Sequence, residues 1–114
     1  MGVIEGSLAL TGYDYFEEML TPRRIFQRLL EGIRLIRADE GRHVAAGMDY
    51  LRERIAARPE LKEPVDQLFF VHIQQIPARM DFTFQTNAFG LDRERMTAIG
   101  HENITQRMRE AGVA

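Results

Sequence analysis

Asp39-Glu40-Gly41-Arg42-His43 is the stretch of this chain with the most capacity for chemistry. Three residues along an α-helix turn the backbone by about 300° and advance it by about 4.5 Å, so Glu40 and His43 project from one face on successive turns. A carboxylate oxygen and an imidazole nitrogen placed this way can bind one metal ion. The chain contains no cysteine. Without soft sulfur ligands, such a site favours iron, manganese or zinc. A lone Glu-x-x-His is a weak signal in 114 residues, so its weight depends on the pattern around it.

That pattern is a helical seam. Phe26, Leu29, Ile33, Ile36, Glu40, His43, Gly47 and Tyr50 follow one another in alternating steps of three and four, while Arg28, Glu31, Arg34, Asp49, Arg52 and Glu53 take the opposite face. Glu40 and His43 therefore stand where burial is expected. A buried ionised carboxylate costs several kcal/mol unless it is paired or coordinated. Glu5 interrupts a second seam, that of Met1, Leu8, Gly12, Tyr15 and Met19, in the same way. Three explanations fit these residues: a polar network in which Glu40 or Glu5 pairs with Arg42 or Arg37, a metal site shared by two helices, or a register that leaves the charges exposed.

The elements that must position them are four helices. The first runs from Met1 to about Met19, where Thr21 is expected to cap, and Pro22 to open, a second that extends to about Arg58 before Pro59. Pro64 opens a third, with Val65, Leu68, His72 and Ile76 on one side, and Pro77 is expected to kink or interrupt it. After a break at Asn87-Ala88-Phe89-Gly90, Asp92 caps a last amphipathic helix carrying Met96, Ile99, Asn103 and Met108 and ending near Gly112. Helices with short connections predict an all-α bundle of antiparallel helices, and the length suits a single domain over residues 1–114.

Two motifs together carry a family resemblance. Ile4-Glu5-Gly6-Ser7-Leu8-Ala9-Leu10-Thr11-Gly12-Tyr13, followed by Asp39-Glu40-Gly41-Arg42-His43, resembles the second half of a ferritin-like dinuclear metal protein. The Glu-Gly pair and the later Asp-Glu-x-x-His are similar to the ribonucleotide reductase small subunit. The Leu-Ala-x-Thr-Gly-Tyr run resembles the ligand-binding oxidases that share its fold, hold one manganese and one iron, and bind a long-chain fatty acid. The resemblance implies dioxygen activation for two-electron oxidation. It makes Glu5, Glu40 and His43 metal ligands, Asp39 an outer carboxylate that orients them, and Tyr13 a tyrosine near the site. The family site takes a Glu and a Glu-x-x-His from each of two helix pairs, and this chain matches one pair, the C-terminal half of the bundle. The missing set implies a complementing N-terminal half or a symmetric homodimer. Alternatives are a fragment of a reductase small subunit and a non-catalytic helical remnant or interaction module.

The remaining candidates read as packing or surface. His72, among Phe69, Val71 and Ile76, suits a core or helix-interface histidine, and His101 suits the surface. Met80, Met96 and Met108 suit the core or an adaptable acyl pocket. Phe82, Phe84 and Phe89 suit the same two roles, core filling first. A net charge of −2, with acidic residues interleaved among the basic ones, argues against nucleic acid as a partner. The longest apolar runs, such as Leu68-Phe69-Phe70-Val71, fall far short of the ~20 residues of a membrane span. The absence of cysteine and of a signal-like start points to a reducing, cytoplasmic setting.

Overall fold

The computed structural model describes residues 9–87 and 90–113. Four α-helices account for most of them: α1 (Leu10–Arg23), α2 (Gln27–Ala57), α3 (Lys62–Thr83) and α4 (Arg93–Ala111), with a single 3-10 turn, Pro59–Leu61, between α2 and α3. No strand occurs among the described residues, and the chain is an all-α helical bundle. Glu5 and Phe89 lie outside the described residues.

Side-chain pairs give the direction of the helices. Glu17 meets Arg34 and Asp14 meets Arg37, so α2 runs back along α1. Glu18 meets Arg95 and Thr11 meets Asn103, so α4 also runs antiparallel to α1. Helices α1, α2 and α3 all pack on α4, and α1 and α2 pack on each other. At 1.5 Å per residue the 31 residues of α2 span about 46 Å. That length sets the long axis of a flat molecule of 48 × 28 × 17 Å. The core joins Leu10, Val44, Met48, Phe69 and Ile104, with Val44 and Phe69 fully buried, and half-buried Tyr13, Val65 and Met108 packed against it.

The ends of α4 form as the sequence predicts. Asp92 Oδ1 accepts the Arg95 amide at 3.0 Å, a side-chain N-cap. At the other end Gly112 takes φ +80°, and the Gly112 and Val113 amides reach back to the Arg109 and Met108 carbonyls, both at 3.0 Å. This is a Schellman closure, with Val113 buried over the half-buried Met108. Tyr15 adds a long-range tie, its buried phenol oxygen accepting the Asp92 amide at 2.6 Å.

The α1–α2 junction differs from expectation. Thr21 does not cap α2, and Pro22 does not open it; α1 continues through both. The Thr21 hydroxyl donates to the Glu17 carbonyl at 2.6 Å, within its own helix. Pro22 is tolerated in the last turn because its missing N–H leaves just one carbonyl, that of Glu18, without a helical donor. The reversal falls instead at Arg24 and Phe26, both left-handed at φ 54° and 52°. The Arg24 amide closes α1 on the Leu20 and Thr21 carbonyls at 3.1 and 3.3 Å. Pro77 does not interrupt α3, which runs on to Thr83.

Removing the cap with Asp92→Ala is expected to lower stability by about 1 kcal/mol, read as a drop in the urea midpoint without a change in slope. Acid should act through α1. The guanidinium of Arg34 bonded to Glu17, and that of Arg95 bonded to Glu18, hold both carboxyls below their ordinary value of 4.5. Because the folded values are the lower ones, this contribution is complete above about pH 4.5 and is lost as pH falls through them. Both pairs are largely exposed, so the acid limb should be shallow and weakened further by salt. In thermal melts from pH 6 to pH 3, a Glu17→Gln, Glu18→Gln double variant should lie slightly below the native chain at pH 6 and converge with it as pH falls, because it has no carboxylate there to protonate.

Candidate functional site on the open face of α2

Helix α2 buries Leu30, Val44, Met48 and Ile55. This stripe lies one residue, about 100°, around the helix from the anticipated seam. The anticipated seam is the open one: Leu29, Ile36 and Tyr50 are about half exposed and Phe26 more so, while Ile33 and Gly47 are half-buried. The apolar surface of α2 is wider than α1 and α4 can cover, and they take the side adjoining it. The charged face is as expected, Arg28, Glu31, Arg34, Asp49, Arg52 and Glu53 all being exposed. A similar shift occurs in α3, where Phe69 is buried and Leu68 is half exposed. Phe82, expected to fill the core or a pocket, is 75% exposed. It sits near the end of α3 on the side away from buried Met80 and Ile76.

Glu40 and His43 share this open face, one turn apart as their spacing requires. Glu40 is half-buried, and its Oε2 is fully enclosed with no hydrogen-bond partner. His43 is exposed. The arginines that could have neutralised Glu40 are engaged elsewhere. Arg37 pairs with Asp14, and Arg42 pairs with Asp39 in the preceding turn. The Asp14 carboxylate also accepts from Asn103 Nδ2 at 3.3 Å, which binds α1, α2 and α4 at one point. The same amide donates to Thr11 at 3.2 Å. The polar network expected around Glu40 has therefore formed around Asp14 instead. Asp39 is exposed against Arg42, and Tyr13 is half-buried against the core.

A metal ion would meet part of a ligand set here. An enclosed carboxylate oxygen without a donor is the form in which a ligand waits for a cation, and His43 stands one turn away on the same face. Among the described residues no group of three His, Asp or Glu converges closely enough to hold a metal by itself. Glu40 and His43 are the described members of the expected ligand set, and Glu5, the third, lies outside the described residues.

No family model matches this chain, and no solved structure matches it. The site therefore rests on its own geometry. Among the described residues no helix is long and apolar enough to cross a membrane. His101 is exposed, as its flanking residues suggested. Gly47 belongs to the anticipated seam and Gly41 to the Asp39–His43 motif, and α2 carries a third glycine, Gly32. A Cβ built on Gly32, Gly41 or Gly47 would meet nothing within 4 Å. Each glycine makes the helix about 1 kcal/mol less favourable than alanine would, and nothing among the described residues packs closely enough to require one.

An enclosed carboxylate oxygen without a partner destabilises the fold that holds it. Glu40→Leu is accordingly expected to raise the stability of the metal-free chain by about 1 to 3 kcal/mol, whereas Glu53→Leu, on the exposed face, should stay within about 0.5 kcal/mol. Urea denaturation in the presence of a chelator measures both. A Glu40→Leu variant less stable than the native chain would mean that Glu40 is held by a structural partner.

Proposed function

We propose that this chain is one half of a dinuclear metal oxidase of the manganese/iron, ligand-binding kind that its two motifs resemble. The supporting observation is Glu40, whose enclosed, unpartnered oxygen shares an uncovered helix face with His43. Glu40 would bind through its carboxylate, bridging or terminally, and His43 through a neutral ring nitrogen. Glu5, the third ligand that the resemblance implies, would complete the set. Asp39, held by Arg42, lies beside this pair on α2, and a change of rotamer would let it take the outer N–H of a ligand. Manganese and iron would supply the capacity to activate dioxygen for two-electron oxidation.

The protein's own contribution is to exclude water and to shape the approach. Leu29, Ile33, Ile36 and Tyr50 would line the face on either side of Glu40 and His43. A second helix pair laid on them would bury the charges in an apolar wall, where a long-chain fatty acid could lie against aliphatic side chains. Gly47, which belongs to this seam, suits such an approach, since it lets a neighbouring helix come close. The second pair would be another copy of the chain or a complementing N-terminal half, each bringing one more Glu and Glu-x-x-His. A second reading, a helical interaction module without catalysis, is favoured by the breadth of the open apolar face, which a partner could cover without any metal.

Iron and manganese content, measured by elemental analysis after anaerobic loading, together with mass in solution, tests both readings. The oxidase reading expects stoichiometric metal that is lost in His43→Ala and in Glu40→Leu. Doubling of mass on loading identifies the second copy as the missing half. A chain that binds neither metal, alone or with a complementing half, but still associates through its open face would be an interaction module.

A further inference from the structure

A separate cavity of about 170 Å³ lies where α3 meets α4 and α1. None of its lining residues belongs to α2, so it is distinct from the face that carries Glu40 and His43. Its apolar walls are Ile76 and Met80 from α3 and Met96 from α4, with Gly100 leaving a gap beside Thr11. Besides the side chains of Thr11 and Thr83, two basic residues break this apolar lining. His72 Nδ1 is buried with no hydrogen-bond partner, and Arg79, half-buried two turns further along α3, also lines the cavity. Arg79 uses Nη2 to reach Gln75 Oε1 at 2.8 Å on the outer side. A guanidinium carries five N–H donors, so this bond leaves donors for the cavity.

An orphaned imidazole nitrogen and a guanidinium above a small apolar hollow have a specific complement. A carboxylate accepts from arginine in a fork and offers a second oxygen to an imidazole N–H. The volume sets the length of the tail: an engineered apolar cavity of about 150 Å³ admits benzene, which limits a ligand here to about six carbons. We infer that the cavity between α1, α3 and α4 binds a short-chain monocarboxylate, its carboxylate held by Arg79 and His72 and its tail among Ile76, Met80 and Met96. Binding selects the His72 tautomer that carries its proton on Nδ1, because a carboxylate can only accept. This site is independent of any metal on α2 and stands whether or not the oxidase reading does.

Hexanoate, titrated into the isotope-labelled full chain and followed by two-dimensional NMR, tests the inference, with hexan-1-ol as the control of equal length. The expected result is saturable binding of hexanoate in the millimolar range or tighter, with shifts centred on His72, Arg79 and Gly100. The alcohol should bind at least tenfold more weakly. Long-range proton–nitrogen spectra should show the Nδ1–H tautomer of His72 in the bound state. Arg79→Leu and His72→Phe should each weaken hexanoate about tenfold or more and leave the alcohol unchanged. Gly100→Ala is the variant least able to unfold the chain, since its Cβ would meet Thr11 Cγ2 at an ordinary 3.7 Å. It should narrow the cavity and weaken hexanoate several-fold. Equal binding of hexanoate and hexan-1-ol, or binding indifferent to Arg79→Leu and His72→Phe, would reduce the site to a nonspecific apolar hollow and overturn the inference. So would a lack of saturation, which would leave the cavity to water.

Discussion

Helix α2 is apolar over more of its circumference than the other three helices can cover, and the architecture follows from how that shortfall is shared. Helices α1 and α4 take the stripe of Leu30, Val44, Met48 and Ile55, where α2 meets the tight Phe69–Ile104 core. The adjoining stripe, through Leu29, Ile36 and Tyr50, is left to whatever lies outside the chain. Choosing between stripes is a matter of polar pairing as much as of hydrophobicity. With the first stripe inward, Arg37 and Arg34 meet Asp14 and Glu17 of α1, the latter pair bidentate at 2.7 and 2.8 Å. Exposed ion pairs contribute little to net stability. They can still favour one register of an apolar helix over another of similar burial, because the wrong register leaves charges against the core.

This competition explains how much of the fold was legible in the sequence. The four helices, the Asp92 cap and the Gly112 terminus depend on local chemistry, and local chemistry can be read one residue at a time. The stripe that faces inward depends on the partner available. Periodicity marks the apolar arc of a helix wider than one neighbour can cover, without saying which edge that neighbour meets. The same reason applies to Leu68 and Phe69. The junction at Arg24 and Phe26 was hidden for a different cause: neither residue favours a left-handed backbone, so nothing local announced the turn. It is imposed by the packing of α1 on α2, which fixes where the chain must reverse.

For the candidate site, the shared face of Glu40 and His43 followed from helix geometry and stands in the structure as the spacing requires. The surroundings did not follow. A polar network was a reasonable expectation for a glutamate within four residues of two arginines. Competition again decided the outcome, since Asp14 faces Arg37 across the helix pair and Asp39 lies one turn from Arg42. Sequence proximity names possible partners, whereas the fold assigns each guanidinium to the carboxylate it can reach with least desolvation.

The open face and the small cavity illustrate how a bundle keeps two kinds of imperfection apart. A buried polar atom without a partner lowers stability wherever it occurs; Glu40 on α2 and His72 on α3 each hold one, while the two on α4, Arg107 Nε and Glu110 Oε2, face each other as an ion pair at 3.1 Å. Helix α4 stands between these regions, anchored at its start by Asp92 and Tyr15 and at its end by Gly112 and Val113. Because each of the other helices packs on α4, strain at either polar defect is borne locally against a well-capped element. Asp14, Asn103 and Thr11 join α1 to that element at the level of the cavity, while Arg37 ties α2 to the same carboxylate.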